Sequence, residues 1–314
     1  MRANSFLQVA PEIDRAVDEG RAVVALESTI ISHGLPRPLN FQTATEMEAA
    51  VRSEGAVPAT VGVIGGRLVV GLTSAELELL ARDDQVLKVS PANLAAALSD
   101  GVLGATTVAA TMIAAHAAGI RVFATGGIGG VHPGAFGGSE VTNTATLDVS
   151  ADLEELAHTP VAVVCAGPKA IVDIAKTVEY LETRGVPVVT IGSSQIPAFY
   201  TRGSGVDSPV RAESARDAAR TIATHFGLGL RTGLLIAVPV PEDDEHRSDL
   251  IGSAIQQATR EASRANVRGA SLTPWMLRRL EDLTDGWSTR VNISLVMNNA
   301  RVAATIACLL AASA

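Results

Sequence analysis

The 314-residue sequence is short of three residue types, and each shortage narrows the possible functions. Only three of its 25 basic residues are lysines, aromatic residues make up 3% of the chain, and there are two cysteines. Cys165 and Cys308 lie in separate apolar segments, which excludes a disulfide framework and fits a reducing compartment. There is no run of lysine or arginine, and the formal net charge is -8. Nucleic acids and anionic membranes bind basic patches, so neither is an expected partner.

The sequence also lacks the uninterrupted apolar N-terminal stretch of a secretion signal, because Pro11, Glu12 and Asp14 fall there. Its longest uncharged run, residues 101–120, consists mainly of Gly, Ala and Thr and contains His116. This composition predicts a buried helix with small residues and not a membrane span. We therefore expect a cytoplasmic protein.

Apolar runs of strand length alternate with helical patterns along most of the chain. The predicted strands are residues 22–26, 57–64, 86–89, 120–124, 161–166, 186–191 and 234–238. Gly65 and Gly66 predict a hairpin turn, so the sheet is expected to be mixed. After Pro241 the pattern is helical only, over residues 243–265, 274–283 and 290–312. The sequence predicts an α/β fold with a mixed sheet covered on both faces, in one domain over residues 1–314.

Two of the three lysines stand at the carboxyl ends of predicted strands. In a chain that uses arginine almost everywhere, a remaining lysine can be one whose primary amine is needed, since a guanidinium stays protonated. Lys88 could bind a phosphate or carboxylate, or be a solvated edge residue. Lys169 follows an apolar strand, and burial of an ammonium lowers its pKa from about 10.4 and frees the amine to attack a carbonyl carbon. A salt bridge is the alternative for Lys169, and Lys176 is read as an ordinary charge on a helix.

Other polar residues follow strands in the same way. Glu27 follows a buried strand, where desolvation would suit a general acid. An arginine partner, or hydrogen bonds accepted from the backbone, would explain it equally well. The glycine-rich segment 126–134 predicts an anion-binding loop. His132 occupies the place of the third glycine of a dinucleotide fingerprint, which argues against NAD, and by itself it fits a structural loop histidine. Asp148 and Asp152 flank a helix start with Ser150 as the expected N-cap, so capping explains one of them.

These segments together resemble the pseudouridine-5'-phosphate glycosidases, also called the indigoidine-synthase-A-like family. The resemblance covers nearly the whole chain and rests on several unrelated motifs that occur in order: ALESTIISHGLP, LKVS, GATTVAATMIAAHAAGIRVFATGGIGGVHPGA, LDVSADL, TPVAVVCAGPKAIVDIAK, LTPWML and MNNAR. It implies a three-layer α/β/α fold, a homotrimer, and reversible cleavage of the C–C glycosidic bond of pseudouridine 5'-phosphate to uracil and ribose 5-phosphate.

The resemblance also implies roles for individual residues. Glu27 would be the proton donor, Lys169 the nucleophile that forms an imine, and Asp148 the carboxylate that binds Mn²⁺, with Mg²⁺ as an alternative. The implied substrate-binding residues are Lys88, Val108, Ser150, Ala151 and Asp152, with Thr125, His132 and Asn298 as further pocket candidates.

The chain departs from this pattern in three places. The loop at residues 136–146 is several residues longer than usual for the family, which bears on metal access and base preference. Pro133 stands where an arginine is common, and Pro168, directly before Lys169, restricts the backbone of Gly167. Two other functions stay open. A Schiff-base aldolase would share the lysine, and a non-catalytic phosphosugar-binding protein would not need Glu27 and Lys169 to converge.

Overall fold

A computed structural model describes residues 5–137, 146–245, 248–265, 267 and 272–313. Within these residues the strands are β1 Leu7–Val9, β2 Val23–Leu26, β3 Val57–Ile64, β4 Arg67–Val70, β5 Leu87–Val89, β6 Gly104–Thr106, β7 Val122–Ala124, β8 Ala162–Cys165, β9 Val188–Ile191, β10 Val210–Ala212 and β11 Leu234–Ala237. The helices are α1 Pro11–Asp18, α2 Leu39–Ser53, α3 Ser74–Arg82, α4 Pro91–Ser99, α5 Val108–Ala117, α6 Ala151–His158, α7 Ile174–Thr183, α8 Ala215–Gly227, α9 Ser248–Arg264, α10 Leu272–Leu283 and α11 Trp287–Ala311. A π-helical turn, Ile30–Gly34, follows β2.

The strands form one mixed sheet in the order β1-β4-β3-β2-β7-β8-β11-β9-β10. The central strands β2, β7, β8, β11 and β9 are parallel, and β3 and β4 form the predicted antiparallel hairpin. The second half of β3 also pairs with β6, which pairs in turn with β5. The mixed α/β sheet predicted from the sequence is therefore confirmed.

The sheet is buried on both faces, and successive side chains of β2 show how. Val24 and Leu26 belong to one hydrophobic cluster, while Val23 and Ala25 belong to another, because neighbouring side chains of a strand point to opposite faces. The first cluster includes residues of α2, α8, α9, α10 and α11, and the second includes residues of α1, α5, α6 and α7. Two helical layers thus enclose the sheet, and the C-terminal helices pack on it as expected. The single domain over residues 1–314 stays a prediction.

Each of the seven predicted strands is present, with ends that differ by at most two residues. The reading of residues 101–120 as one helix is wrong for its first part, because Gly104–Thr106 is β6 and α5 begins at Val108. The absence of a side chain at Gly104 allows β6 to lie close to β5, since a Cβ on Gly104 would lie 2.5 Å from Cγ2 of Val89. Strands β1, β6 and β10 were not predicted, because each has three residues and lies outside the apolar runs of strand length in the sequence.

One helix in the described part of the chain, α11, is long and apolar enough to cross a membrane by length and composition alone. Core helices of globular proteins have the same features. Val291, Leu295 and Ala303 of α11 are buried in the cluster that includes β2, β7 and β8, which is the packing of a core helix.

Candidate active site

A cavity of about 330 Å³ opens at one edge of the sheet, where several strands end. Glu27 directly follows β2, Lys88 lies in β5, and Lys169 stands four residues beyond β8. Side chains at the carboxyl ends of parallel strands converge in α/β folds, and here nine of the predicted site residues line this one cavity: Glu27, Lys88, Val108, His132, Asp148, Ser150, Ala151, Asp152 and Lys169.

Glu27 is only 5% exposed, and threonine hydroxyls hold both of its carboxylate oxygens. Thr29 donates to Oε2 and Thr125 donates to Oε1. The alternative of an arginine partner fails, because no ion pair among the described residues includes Glu27. Thr125 itself does not line the cavity in the described structure. It lies behind Glu27 and fixes the direction in which the carboxyl group points.

Lys88 is half-buried, and burial holds the pKa of its ammonium below the usual range, with the charge of Lys169 acting in the same direction. Asp152 and Glu27 act in the opposite direction. These electrostatic effects require the four charged groups to lie near one another. Lys88 therefore belongs to the charged lining of the cavity and is not a solvated edge residue.

Lys169 and Lys176 differ in their surroundings although they are seven residues apart. Lys176 forms an ion pair with Asp173, with Nζ 3.3 Å from Oδ2, whereas no ion pair among the described residues includes Lys169. The backbone N–H of Lys169 donates to the carbonyl of Ile128 at 2.9 Å, which ties it to the glycine-rich segment. Gly167 has a φ of +82°, and a Cβ there would lie 2.4 Å from the carbonyl oxygen of Pro197. This turn is therefore restricted to glycine, and it sets where Lys169 enters the cavity.

Asp152 has a structural role that the sequence did not indicate. It is 6% exposed; its Oδ1 accepts from the N–H of Ala109 at 3.1 Å, and its Oδ2 accepts from the N–H of Gly129 at 2.8 Å. The carboxylate thus joins the first turn of α5 to the glycine-rich segment. The predicted cap is present, since Ser150 Oγ accepts from the N–H of Asp152 at 3.2 Å.

The glycine-rich segment packs closely against its neighbours. A Cβ on Gly129 would lie 2.2 Å from Ser150 Oγ, and one on Gly127 would lie 2.7 Å from the Phe199 ring. The N–H groups of Ile128, Gly129 and Val131 already donate to protein acceptors. Tertiary contacts thus use these three N–H groups, and Gly126, Gly127 and Gly129 line the cavity. Anion binding by this segment stays a prediction.

His132 and Asp148 form the side of the cavity next to this segment. The His132 N–H donates to the Asp148 carbonyl at 3.0 Å. Burial lowers the pKa of the His132 imidazole, while the Asp148 carboxylate opposes that shift. Nδ1 of His132 is buried and has no hydrogen-bond partner within the described structure. No group of three or more His, Cys, Asp or Glu side chains in the described residues could enclose a metal ion.

The asparagines of α11 are placed differently from expectation. Asn298 is half-buried and is absent from the cavity lining in the described structure, whereas Asn292 lines it. Asn299 is 1% exposed, and its amide donates to the Thr125 carbonyl at 2.9 Å. Successive residues of a helix are rotated by about 100°, so a motif alone could not tell which asparagine faces the cavity.

Other lining residues were not predicted from the sequence: Thr29, His33, Ser90, Asn93, Thr107, Phe199, Thr273 and Asn292. Thr29 and His33 fall inside the ALESTIISHGLP motif, and their position shortly after a predicted strand could have identified them as lining residues. Residues 138–145 of the longer loop lie outside the described residues.

Comparisons with known proteins agree with one another. The family model described as "Indigoidine synthase A like protein" matches residues 12–309. A protein of Caldanaerobacter subterraneus named pseudouridine-5'-phosphate glycosidase is 51% identical over 304 residues, covering 97% of this chain and 96% of its own. One of Jannaschia with the same name is 52% identical over 301 residues, covering 96% and 97%.

Two solved structures are similar over almost the full length. A prealnumycin C-glycosynthase in complex with ribulose 5-phosphate superimposes with a TM-score of 0.87 at 37% identity, covering 99% of this chain and 98% of its own. An indigoidine synthase A-like protein of Thermotoga maritima gives a TM-score of 0.85 at 30% identity, covering 98% and 97%.

Proposed function

The chain belongs to the indigoidine synthase A like protein family, and from this we propose that it is an enzyme that reversibly cleaves the C–C glycosidic bond of pseudouridine 5'-phosphate. The products are uracil and ribose 5-phosphate. The observation that carries the proposal is the convergence of Glu27 and Lys169 on one cavity, together with Lys88. A protein that only bound a phosphosugar would not need an acid and an amine at the same place.

A covalent route explains why both groups are present. Uracil bound through carbon is a poor leaving group, and direct cleavage by two carboxylates would have to expel a carbanion. In the proposed reaction the Lys169 amine attacks C1' and displaces the ring oxygen, which Glu27 protonates as the sugar opens, so that a C1'–N single bond forms. A proton delivered to the base carbon then allows the C–C bond to break, and the nitrogen lone pair forms the imine at C1'. Hydrolysis of the remaining imine releases ribose 5-phosphate and restores the amine.

Lys88 is proposed to bind the 5'-phosphate. Of the two lysines that line the cavity, Lys169 is the proposed nucleophile, which leaves Lys88 to bind an anion. A cation in a partly desolvated site attracts an anion more strongly than one in water. Asn292 is proposed to contact the base, because its buried Oδ1 has no hydrogen-bond partner in the described structure and uracil offers N–H donors.

A divalent metal ion fits the side of the cavity formed by Asp148. The carboxylate lines open space, and the unpartnered Nδ1 of His132 nearby can bond a metal-held water. One carboxylate plus water ligands is the oxygen-rich set that Mn²⁺ and Mg²⁺ accept. When bound, the ion would supply positive charge and oriented waters. Asp148 would hold it, and His132 would orient those waters.

The test is turnover of pseudouridine 5'-phosphate by the purified protein with Mn²⁺, followed as uracil release by chromatography. Unphosphorylated pseudouridine is the matched comparison, and its kcat/KM should be lower by about 10²-fold or more, because binding energy of the phosphate acts at the reacting carbon. Cleavage of a phosphosugar aldol without any uracil release would favour the aldolase instead. The cytoplasmic location and the homotrimer also stay proposals, and light scattering in solution tests the second.

A further inference from the structure

A second cavity of about 220 Å³ adjoins the active-site cavity. The two cavities have five lining residues in common: His33, Gly34, Pro274, Leu277 and Asn292. The residues at the boundary between the two cavities come from the π-helical turn, α10 and α11. Apart from Asn292, no residue with a role in the proposed reaction lines the second cavity in the described structure.

The boundary presents two buried hydrogen-bond acceptors. Asn292 Oδ1 and His33 Nε2 are buried and lack partners within the described part of the chain. Burial and the charge of Lys88 lower the pKa of the His33 imidazole, and the ring bonds the Val86 backbone. Since that bond leaves Nε2 free, the neutral ring presents Nε2 as an acceptor. A phosphate presents hydrogen-bond acceptors near neutral pH, so it does not suit a boundary that presents acceptors itself. A heterocycle with an N–H donor does.

The other residues that line the two cavities suit a flat, neutral ring. Phe199 lines the active-site cavity and Tyr200 lines the second one, with their rings edge to face at a centroid distance of 4.8 Å. Arg278 and Glu281 contribute one charge of each sign, so they offset each other and do not select an ion. A cavity of about 150 Å³ is large enough for benzene, and the second cavity exceeds that size.

We propose that the second cavity is a subsite for a ring fused to the heterocycle that takes part in C–C bond formation. The proposal rests on the proposed function. In the synthetic direction the ring carbon loses its proton and forms a bond to C1' of ribose 5-phosphate. The C4' hydroxyl closes the sugar ring on C1' and loses its proton, and the aldehyde oxygen leaves with these two protons as water. The fused ring would lie on the edge away from the reacting carbon and pass the boundary formed by His33 and Asn292. The enzyme would then accept bicyclic lactams as well as single-ring acceptors.

The experiment compares two acceptors that differ only by a fused benzene ring, 4-hydroxypyridin-2-one and 4-hydroxyquinolin-2-one, each with ribose 5-phosphate and Mn²⁺. Both retain the lactam N–H and a nucleophilic carbon between two oxygenated carbons. Product formation is measured by liquid chromatography and mass spectrometry, with uracil as the reference acceptor. The quinolone kcat/KM should be no more than about tenfold below that of the pyridone, because the extra ring is buried in a cavity that has room for it.

Thr289 lines the second cavity only, so Thr289→Trp should fill it. The ratio of quinolone to pyridone kcat/KM should fall by about tenfold or more, because the variant loses the free energy gained by burying the fused ring. Thr289→Val keeps the volume, and Arg290→Trp adds the same ring at an exposed neighbour; both should retain the wild-type ratio. Circular dichroism and uracil turnover show that the variants fold.

The outcomes separate the two proposals. If the wild type joins uracil but not the quinolone, or if Thr289→Trp affects both acceptors equally, the second cavity is at most an entry path and the subsite is wrong. If the wild type joins no acceptor and releases no uracil from pseudouridine 5'-phosphate, the proposed function itself fails.

Discussion

The two sides of the active-site cavity use their polar groups in opposite ways. On one side Glu27, Lys88 and Lys169 present ionisable side chains to the open space. On the other side Asp152 and the glycine-rich segment satisfy each other, with both Asp152 oxygens bonded to backbone N–H groups. We call these the reactive side and the scaffold side. The comparison shows that two equally buried carboxylates differ in their donors. Side-chain hydroxyls orient Glu27, whereas backbone N–H groups of two distant segments donate to Asp152, which joins those segments.

The largest expected effect is on the reactive side. Lys169→Arg retains the positive charge but removes the nucleophile, so uracil release should fall by about 10³-fold or more, as expected for a residue that bonds to the substrate. Lys176→Arg is the matched control and should keep wild-type activity, since Lys176 is paired with Asp173.

Borohydride added during turnover should leave a reduced ribose-phosphate adduct on the peptide that contains Lys169, detected by mass. An adduct on Lys88, or an active Lys169→Arg enzyme, would assign the reaction to another group.

Asp148→Asn should remove metal dependence. The variant should bind Mn²⁺ at least about tenfold more weakly, measured by electron paramagnetic resonance, and should lose most of its turnover. In the wild type, EDTA should abolish activity and Mn²⁺ should restore it. Asp100→Asn, at an exposed position, is the control. Full activity of the chelated enzyme would contradict the metal assignment.

Thr125→Val tests whether the orientation of Glu27 matters. The change removes the hydroxyl that donates to Oε1 while retaining the volume, and kcat should fall about 10-fold to 100-fold because a small displacement of an acid from its target is costly. Thr125→Ser retains a hydroxyl and should recover most of the rate. The pH profile of kcat should shift in the valine variant and not in the serine variant. Equal losses in both would mean that packing is the cause.

On the scaffold side, Asp152→Asn should act on stability more than on chemistry. An amide leaves one oxygen for two donors, so the N–H of Ala109 or Gly129 loses its acceptor and the free energy of unfolding should fall by about 1–3 kcal/mol. Thermal denaturation without ligand measures this change, with Asp148→Asn as the comparison that should leave it nearly unaltered. A normal melting temperature with abolished substrate binding would show that Asp152 binds substrate and does not stabilise the fold.

The smallest expected effect separates two asparagines of α11. Asn292→Ala should raise the KM for uracil in the synthetic direction about tenfold, the loss of one or two hydrogen bonds to a base. Asn298→Ala should change it little, because in the described structure that residue is absent from the cavity lining. The reverse result would show that the sequence motif was the better guide.

The sequence by itself determined most of the strands and the polar residues that follow them. Buried parallel strands read as continuous apolar runs, so β2, β3, β8 and β11 were found with ends that differ by at most one residue. Glu27, Lys88 and Lys169 followed from the same pattern, since strand ends in such sheets converge. These signals are local, so they can be identified in a single sequence.

Only the tertiary structure decided what each polar group does once it is there. The N–H of Gly129 donates to a carboxylate 23 residues away, and Glu27 is held by a hydroxyl 98 residues away. The direction of Asn292, and not Asn298, toward the cavity depends on how α11 is rotated against the sheet. Contacts between distant segments and the rotation of a packed helix are fixed when the core closes, and no local pattern encodes either of them.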